Sequence, residues 1–310
     1  MHAIAISRYG GPEVLEPTEL PSPPLGPDVV LVRTRAAGVN PVDYKAVAGG
    51  LEGGFPCHFP LVPGWDVAGT VEAAGPDVAE FAPGDEVIAY ARRDDVQWGT
   101  YAELVPVPVR AVAPKPASTG WAEAGALPLA GLTAWQALER GLGVGAGDVV
   151  LVHAAGGGVG HLAVQLALVR GAARVIGTAS PSTFDFVRSL GAEPVAYGPG
   201  LAERVLDLVP GGVDAVLDLA GGEALAATPA LLKPAGRLTS ILEPDTVAKL
   251  EGRYVFVRPD GAQLAELGRL VDEGRLGVHL ERTFPLDDAA DAHRQLMDRH
   301  VHGKLALMLA

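Results

Sequence analysis

Residues 154–160 read AAGGGVG and stand between an apolar run, 149–155, and a stretch in which Leu162, Leu166 and Val169 recur at helical spacing. The run is expected to be a strand buried on both faces of a parallel sheet, and the stretch a helix over 158–170. Gly156, Gly157 and Gly158 let the backbone turn sharply beside a ligand, where a Cβ would obstruct it, and Gly160 lets the helix lie close to the strand. On the spacing G-x-G-x-x-G, Ala155 takes the first position, and Gly157 and Gly160 take the second and third. A helix that starts there presents its positive end and free N–H groups, so this turn, with Val159, can hold the pyrophosphate of a dinucleotide. The alternative is a glycine-rich turn that holds nothing. A second strand, 174–180, ends Thr178-Ala179-Ser180, and no carboxylate follows until Asp185. An NAD site places Asp or Glu near that point for the ribose 2′-hydroxyl. Ser180 and Ser182, on either side of Pro181 as first residue of a helix, can instead donate to a 2′-phosphate, which points to NADP(H). Ser180 as a simple helix cap is the plainer alternative.

The elements that position this turn fall into two textures. Over 1–115, short β-rich runs (29–39, 67–75, 85–91) are separated by Pro/Gly punctuation, as in an irregular barrel or sandwich. From Trp121 onward, helices and strands alternate: strands at 149–155, 174–180, 194–197, 213–220 and 237–242, with helices at 158–170, from Pro181, and at 201–208. That order implies right-handed βαβ units around a parallel sheet. A strand at 304–309 closes the chain. With 310 residues, 48% hydrophobic and 20% charged, a large core and two domains are expected. The net charge of -13 makes nucleic acid and anionic lipid poor partners. No apolar run approaches the ~20 residues of a membrane span, and the N-terminal residues read as an opening strand and not as a signal peptide. The single cysteine, Cys57, excludes an internal disulfide and fits a cytoplasmic protein. Cys57-His58 and the pair His300 and His302 read as ordinary loop residues.

Five stretches, AAGVNPVDYK (36–45), VPGWDVAGTVEAAG (62–75), GTYAELV (99–105), LPLAGLTAWQAL (127–138) and HAAGGGVGHLAVQLA (153–167), come in an order that resembles the zinc-free quinone reductases of the medium-chain dehydrogenase/reductase superfamily. The resemblance runs to the tail, PLDDAADAHRQL and GKLAL. It implies an α/β fold: a doubly wound Rossmann domain over 117–262, and a GroES-like β-rich catalytic domain made of 1–116 and 263–310, with NADPH held in a cleft. Where zinc-dependent relatives carry Cys, His and Cys as metal ligands, this chain carries Asn40, Trp65 and Leu129. An amide, an indole and an alkyl group supply neither the thiolate nor the imidazole that zinc prefers, so no metal is expected.

Without a metal Lewis acid, the expected chemistry is hydride transfer from nicotinamide to a quinone or an α,β-unsaturated carbonyl, with protonation of the resulting oxyanion or enolate. The resemblance makes Asn40, Asp43 and Tyr44 the candidate catalytic residues: Asn40 to position a ribose or substrate oxygen, Asp43 to orient its neighbours, and Tyr44 to donate a proton or hydrogen bond. Tyr44 as a packing aromatic is the alternative. Trp65 is expected as a flat wall of the substrate pocket. Thr133 is placed at the carboxamide, with a bond to its own helix as the alternative. Tyr197 falls near the 2′-phosphate, Ala220 and Leu242 border the cofactor, Phe256 approaches the nicotinamide side, and Lys304 adds positive charge near the cofactor. Residues 253–260, RYVFVRPD, suit an edge strand that pairs with a second copy, which gives a homodimer. Two other functions stay open: an enoyl-thioester reductase, and a non-catalytic NADPH-binding protein.

Overall fold

A computed structural model describes residues 1–298 and 301–309. The chain divides into two compact units: Met1–Leu129 with Pro259–Gly274 and Val278–Ala310, and Ala130–Arg258 with Arg275–Gly277. The first crossing falls at Leu129–Ala130, later than the 116–117 boundary read from the sequence. The reason is the helix Trp121–Ala126, which packs on strands Val29–Val39 and Asp66–Ala74 of the first unit. The return falls at Pro259, a few residues before the expected 263.

The second unit is built on a six-stranded parallel sheet, in the order Glu193–Ala196, Arg174–Ala179, Val149–Val152, Val213–Asp218, Leu232–Ser240, Arg253–Tyr254. Its first strand in sequence, Val149–Val152, lies in the middle with parallel neighbours on both sides, so the chain order reverses there. That reversal is where a doubly wound sheet opens a crevice at its carboxyl edge. The strands form because β-branched and aliphatic residues alternate between two covered faces: Leu151, Ile176, Val216 and Leu238 share one core with Val205, Leu225 and Val247 from the flanking helices. The helix after the glycine turn spans Gly160–Val169, within the expected 158–170 and containing the whole apolar stripe. The helix expected from Pro181 starts as one 3-10 turn, Pro181–Thr183, and continues as Phe184–Ser189.

The first unit holds a seven-stranded sheet around the 11-residue strand Val29–Val39. That strand pairs antiparallel with Asp66–Ala74 and Leu104–Pro108 over its first part, and with Lys304–Met308 at its end. Its inward valines, Val30 and Val32, pack with Val67, Val71, Val87, Val105 and Val107. The pairing Leu305↔Val39 and Ala306↔Gly38 brings Lys304 level with Asn40, the residue that follows the long strand. Among the described residues, no helix is long and apolar enough to cross a membrane.

Candidate active site

In the second unit, the sequence-derived cofactor residues gather along the carboxyl edge of the sheet. Ala155–Val159 follow Val149–Val152, Ser180 and Ser182 follow Arg174–Ala179, and Tyr197 follows Glu193–Ala196. Ala220, Leu242 and Phe256 stand after the next three strands. A Cβ on Gly160 would lie 2.1 Å from the Ala154 carbonyl oxygen and 2.8 Å from Ala155 Cα, so only glycine lets the helix meet the turn. Ala154 itself adopts φ 52, left-handed backbone in a non-glycine residue, and its N–H donates to Thr178 Oγ1 at 3.0 Å. This cradle of glycine backbone at a helix start fits a dinucleotide pyrophosphate.

Neighbouring loops are fastened from within. Asp218 Oδ1 accepts from the N–H groups of Ala220 and Gly221 (3.1 and 3.0 Å), and Asp218 Oδ2 accepts from Ser240 Oγ at 2.6 Å. Ser240 Oγ accepts from Leu242 N–H at 3.0 Å. The Ser180 hydroxyl lies 2.8 Å from that of Ser182 and 2.7 Å from that of Thr183, a cluster of three hydroxyls. The Arg204 guanidinium holds the carbonyls of Ala196, Tyr197 and Gly198, which fixes the turn after the edge strand and leaves Tyr197 62% exposed. His153 is fully buried beside Thr178 Oγ1 (3.4 Å), and burial pulls its pKa down to about 4. Thr133 is buried in the helix Pro128–Gln136.

The first unit gathers a different set. Asn40 caps the helix Pro41–Val47 with Asp43 in a capping box: Asn40 N–H donates to Asp43 Oδ2 at 2.7 Å. Asn40 Nδ2 donates to Asp66 Oδ2 at 2.8 Å, and Asp66 Oδ1 accepts from Leu129 N–H at 2.7 Å. Lys304 Nζ donates to Asn40 Oδ1 at 2.5 Å and to the Val39 carbonyl at 2.8 Å, and lies 4.0 Å from Asp66. On the other side, Tyr101 Oη donates to Asp43 Oδ2 at 3.1 Å and lies 3.1 Å from His293 Nε2. Asn40, Asp43, Asp66, Tyr101, His293 and Lys304 are all buried.

Lys304 is 3% exposed and its ammonium is bound inside this cluster, because the antiparallel register sets it against Asn40. Trp65 is packed as core, 7% exposed, its ring 6.0 Å from those of Phe55 and Tyr90. A small cavity beside it is lined also by Val62, Arg93, Gln97 and Trp98. Asn40 is 2% exposed and has one side-chain N–H left after its bonds to Asp66 and Lys304. Tyr44, the residue after Asp43, is half-buried and Lys45 is exposed. The sequence reading missed Asp66, Tyr101 and His293. Asp66 lies within the stretch 62–75, but its partners are scattered along the chain. Cys57 is a free thiol, and no group of three metal-ligating side chains occurs among the described residues. His300 lies outside the described residues.

Desolvation dominates the protonation of this cluster. Burial, with Asp66 adding to it, pushes Asp43 up to about 7 against the opposing pull of the Asn40 N–H, Lys304 and Tyr101. Burial likewise raises Asp66 to about 6, while Lys304 and Asn40 oppose it. Burial lowers Lys304 and holds His293 down at about 4. A carboxyl with a folded pKa above its unfolded value of 3.8 contributes stability below that value, and the contribution is lost as pH rises through the folded pKa. His293 and His153, depressed to about 4, act the other way between about 4 and 6.5. Both histidines are common to wild type and an Asp43→Asn variant, so they cancel in the difference. Urea melts at pH 4.5 and 8 are therefore expected to show wild type losing about 2 kcal/mol or more relative to Asp43→Asn. Parallel pH profiles for the two proteins would reject the raised pKa.

Comparisons with known proteins agree with this geometry. Residues 26–117 match the family model described as alcohol dehydrogenase GroES-like domain, and residues 190–307 match that of zinc-binding dehydrogenase. The chain is 33% identical to the chloroplast envelope quinone oxidoreductase homolog of Arabidopsis thaliana, over 98% of this chain and 97% of that protein. It is 35% identical to the chloroplastic NADPH-dependent alkenal/one oxidoreductase of the same plant, over 99% of this chain and 79% of the relative. The solved quinone oxidoreductase of Coxiella burnetii superposes with a TM-score of 0.89 at 35% identity, over 100% of this chain and 99% of that one. A parallel dinucleotide-type sheet joined to a GroES-like unit defines an NAD(P)H oxidoreductase. More narrowly, the chain belongs to the medium-chain dehydrogenase/reductase superfamily, in its zinc-free quinone oxidoreductase branch.

Proposed function

We propose that this protein is an NADPH-dependent, zinc-independent reductase of quinones or α,β-unsaturated carbonyls. The observation that carries the reading is the donor set at Asn40, Trp65 and Leu129. There the Asn40 amide and the Leu129 N–H are both taken up by Asp66, and no thiolate or imidazole stands ready for zinc. The glycine turn 155–159, the Ser180 and Ser182 hydroxyls, and the loops bearing Tyr197, Ala220, Leu242 and Phe256 are the groups to hold the coenzyme. When bound, it supplies the hydride. The chain's own residues bind and orient it, keep water from the reacting atoms, and meet the negative charge that forms on the acceptor oxygen. Tyr44, half-buried on the helix Pro41–Val47, is the donor to that oxygen.

The test is an acceptor panel run with NADPH and NADH side by side in chelator. Turnover of 9,10-phenanthrenequinone with NADPH, and none with crotonyl-CoA, supports this reading. The reverse pattern supports an enoyl-thioester reductase, and tight coenzyme binding without turnover supports a non-catalytic role. Loss of activity in chelator overturns the zinc-free reading. For the coenzyme, Ser180→Asp is expected to raise KM for NADPH about tenfold or more and leave KM for NADH nearly unchanged, since a carboxylate there repels a 2′-phosphate. Equal effects on both coenzymes would show that Ser180 does not face the 2′ position.

A homodimer and a cytoplasmic location belong to the same reading. The strand Arg253–Tyr254 ends the sheet on one side, and Tyr254 and Phe256 there are 37% and 53% exposed, which suits pairing with a second copy. An elution mass equal to one chain would exclude the dimer. The cytoplasmic location rests on the single cysteine.

A further inference from the structure

We infer that Lys304, acting through Asn40 and Asp66, is a positioning residue that fixes the start of the helix Pro41–Val47 and with it the Tyr44 side chain. The inference deepens the proposed function and rests on its assignment of Tyr44 as donor.

Three observations carry it. First, Asn40 is tied at nearly every polar atom. Its Oδ1 accepts from Lys304, its Nδ2 donates to Asp66, its N–H donates to Asp43, and its carbonyl accepts from Asp43 N–H at 3.0 Å. At 2% exposure it offers a substrate little surface, so its chemistry is spent inside the protein. Second, the ties come from far along the chain. Lys304 lies 264 residues from Asn40 and Asp66 lies 26, so two separate strands clamp one helix cap. Third, Asp43, the other half of the capping box, directly precedes Tyr44 on the helix. Successive helical residues are about 100° apart around the axis and about 1.5 Å apart along it. Any displacement of the cap or of Asp43 therefore passes straight into the bearing of the tyrosine hydroxyl.

Lysine suits this position. Its ammonium must satisfy a backbone carbonyl and an amide oxygen together, and its charge fixes which way the Asn40 amide faces, with oxygen to the cation and nitrogen to the Asp66 carboxylate. A neutral donor in its place leaves that orientation undefined and frees the cap to adopt a second arrangement.

The experiment has two arms. In the first, 3-fluorotyrosine replaces Tyr44 in the coenzyme-free protein and its ¹⁹F resonance is recorded. One narrow line is expected for wild type and for Lys304→Arg, and a split or broadened line for Lys304→Gln and for Asp66→Asn. A single unshifted line in a folded Lys304→Gln or Asp66→Asn protein overturns the proposal, and the two variants guard against one of them failing to fold. In the second arm, Lys304→Gln is expected to lower kcat about tenfold, to leave KM for NADPH and acceptor within about twofold, and to have no further effect in a Tyr44→Phe background. A full tenfold loss in that background overturns the proposal, because Lys304 then acts by another route. Undiminished turnover in Tyr44→Phe alone overturns the donor role of Tyr44 and leaves positioning to be decided by the ¹⁹F arm.

Discussion

Lys304→Met is expected to destabilise the first unit by about 3–5 kcal/mol, enough to remove a large share of the stability of a typical domain. Methionine is close to lysine in length and flexibility, so the packing of the stem is kept and the loss reports the charge. Asp66 is completely buried, and the ammonium is the cation facing it in the cluster. Without it, the Val39 carbonyl and Asn40 Oδ1 lose their donor as well. The carboxyls escape the penalty only by taking up protons, so the variant should recover part of its stability at low pH. Thermal melts of wild type and variant at pH 5 and 8 measure this. A variant within about 1 kcal/mol of wild type at pH 8 would show that the lysine is bystander packing and not the counter-charge.

The second large effect is expected at Gly160. In Gly160→Ala the new methyl meets the Ala154 carbonyl oxygen at 2.1 Å, and both atoms that must give way are backbone. Overpacking of this kind costs about 1–3 kcal/mol, which, drawn from the shape of the coenzyme turn, weakens NADPH binding roughly 10- to 100-fold. Gly145→Ala is the control, since a Cβ there meets nothing within 4 Å. Quenching of tryptophan fluorescence by NADPH gives both dissociation constants. If Gly160→Ala binds as tightly as Gly145→Ala, the turn at 155–159 is not where the pyrophosphate sits.

How far the sequence reaches is decided by the distance between partners. The parallel sheet was legible because each of its βα steps is written locally: a strand of β-branched residues, a glycine or serine turn, and an apolar helical stripe follow one another within about 30 residues. The strand expected at 237–242 shows the limit. It begins at Leu232, and the intervening Lys233-Pro234-Ala235-Gly236 do not read as strand; the register there jumps between Val213 and Ala215. The helix Trp121–Ala126 was assigned to the second domain by its position in the chain, whereas its packing partners are strands of the first. In the site, Asn40, Asp43 and Tyr44 were found as a motif, but the meaning of Lys304 was not. No local pattern announces that a lysine near the C-terminus is swallowed by the core; only the antiparallel register against Val29–Val39 does so. Tyr101 and His293 escaped for the same reason, being joined to Asp43 across 58 and 192 residues.

The strand Lys304–Met308, which lies beside Val29–Val39, has a consequence for how the first unit assembles. Lys304 and Asn40 are 264 residues apart, so this part of the sheet closes only through a contact of high sequence separation, whose loop-closure entropy must be met before the contact rewards it. The buried Asn40 and Asp66 side chains gain their cation in that same step, which joins the seating of the helix Pro41–Val47 to the slowest kind of pairing the fold contains.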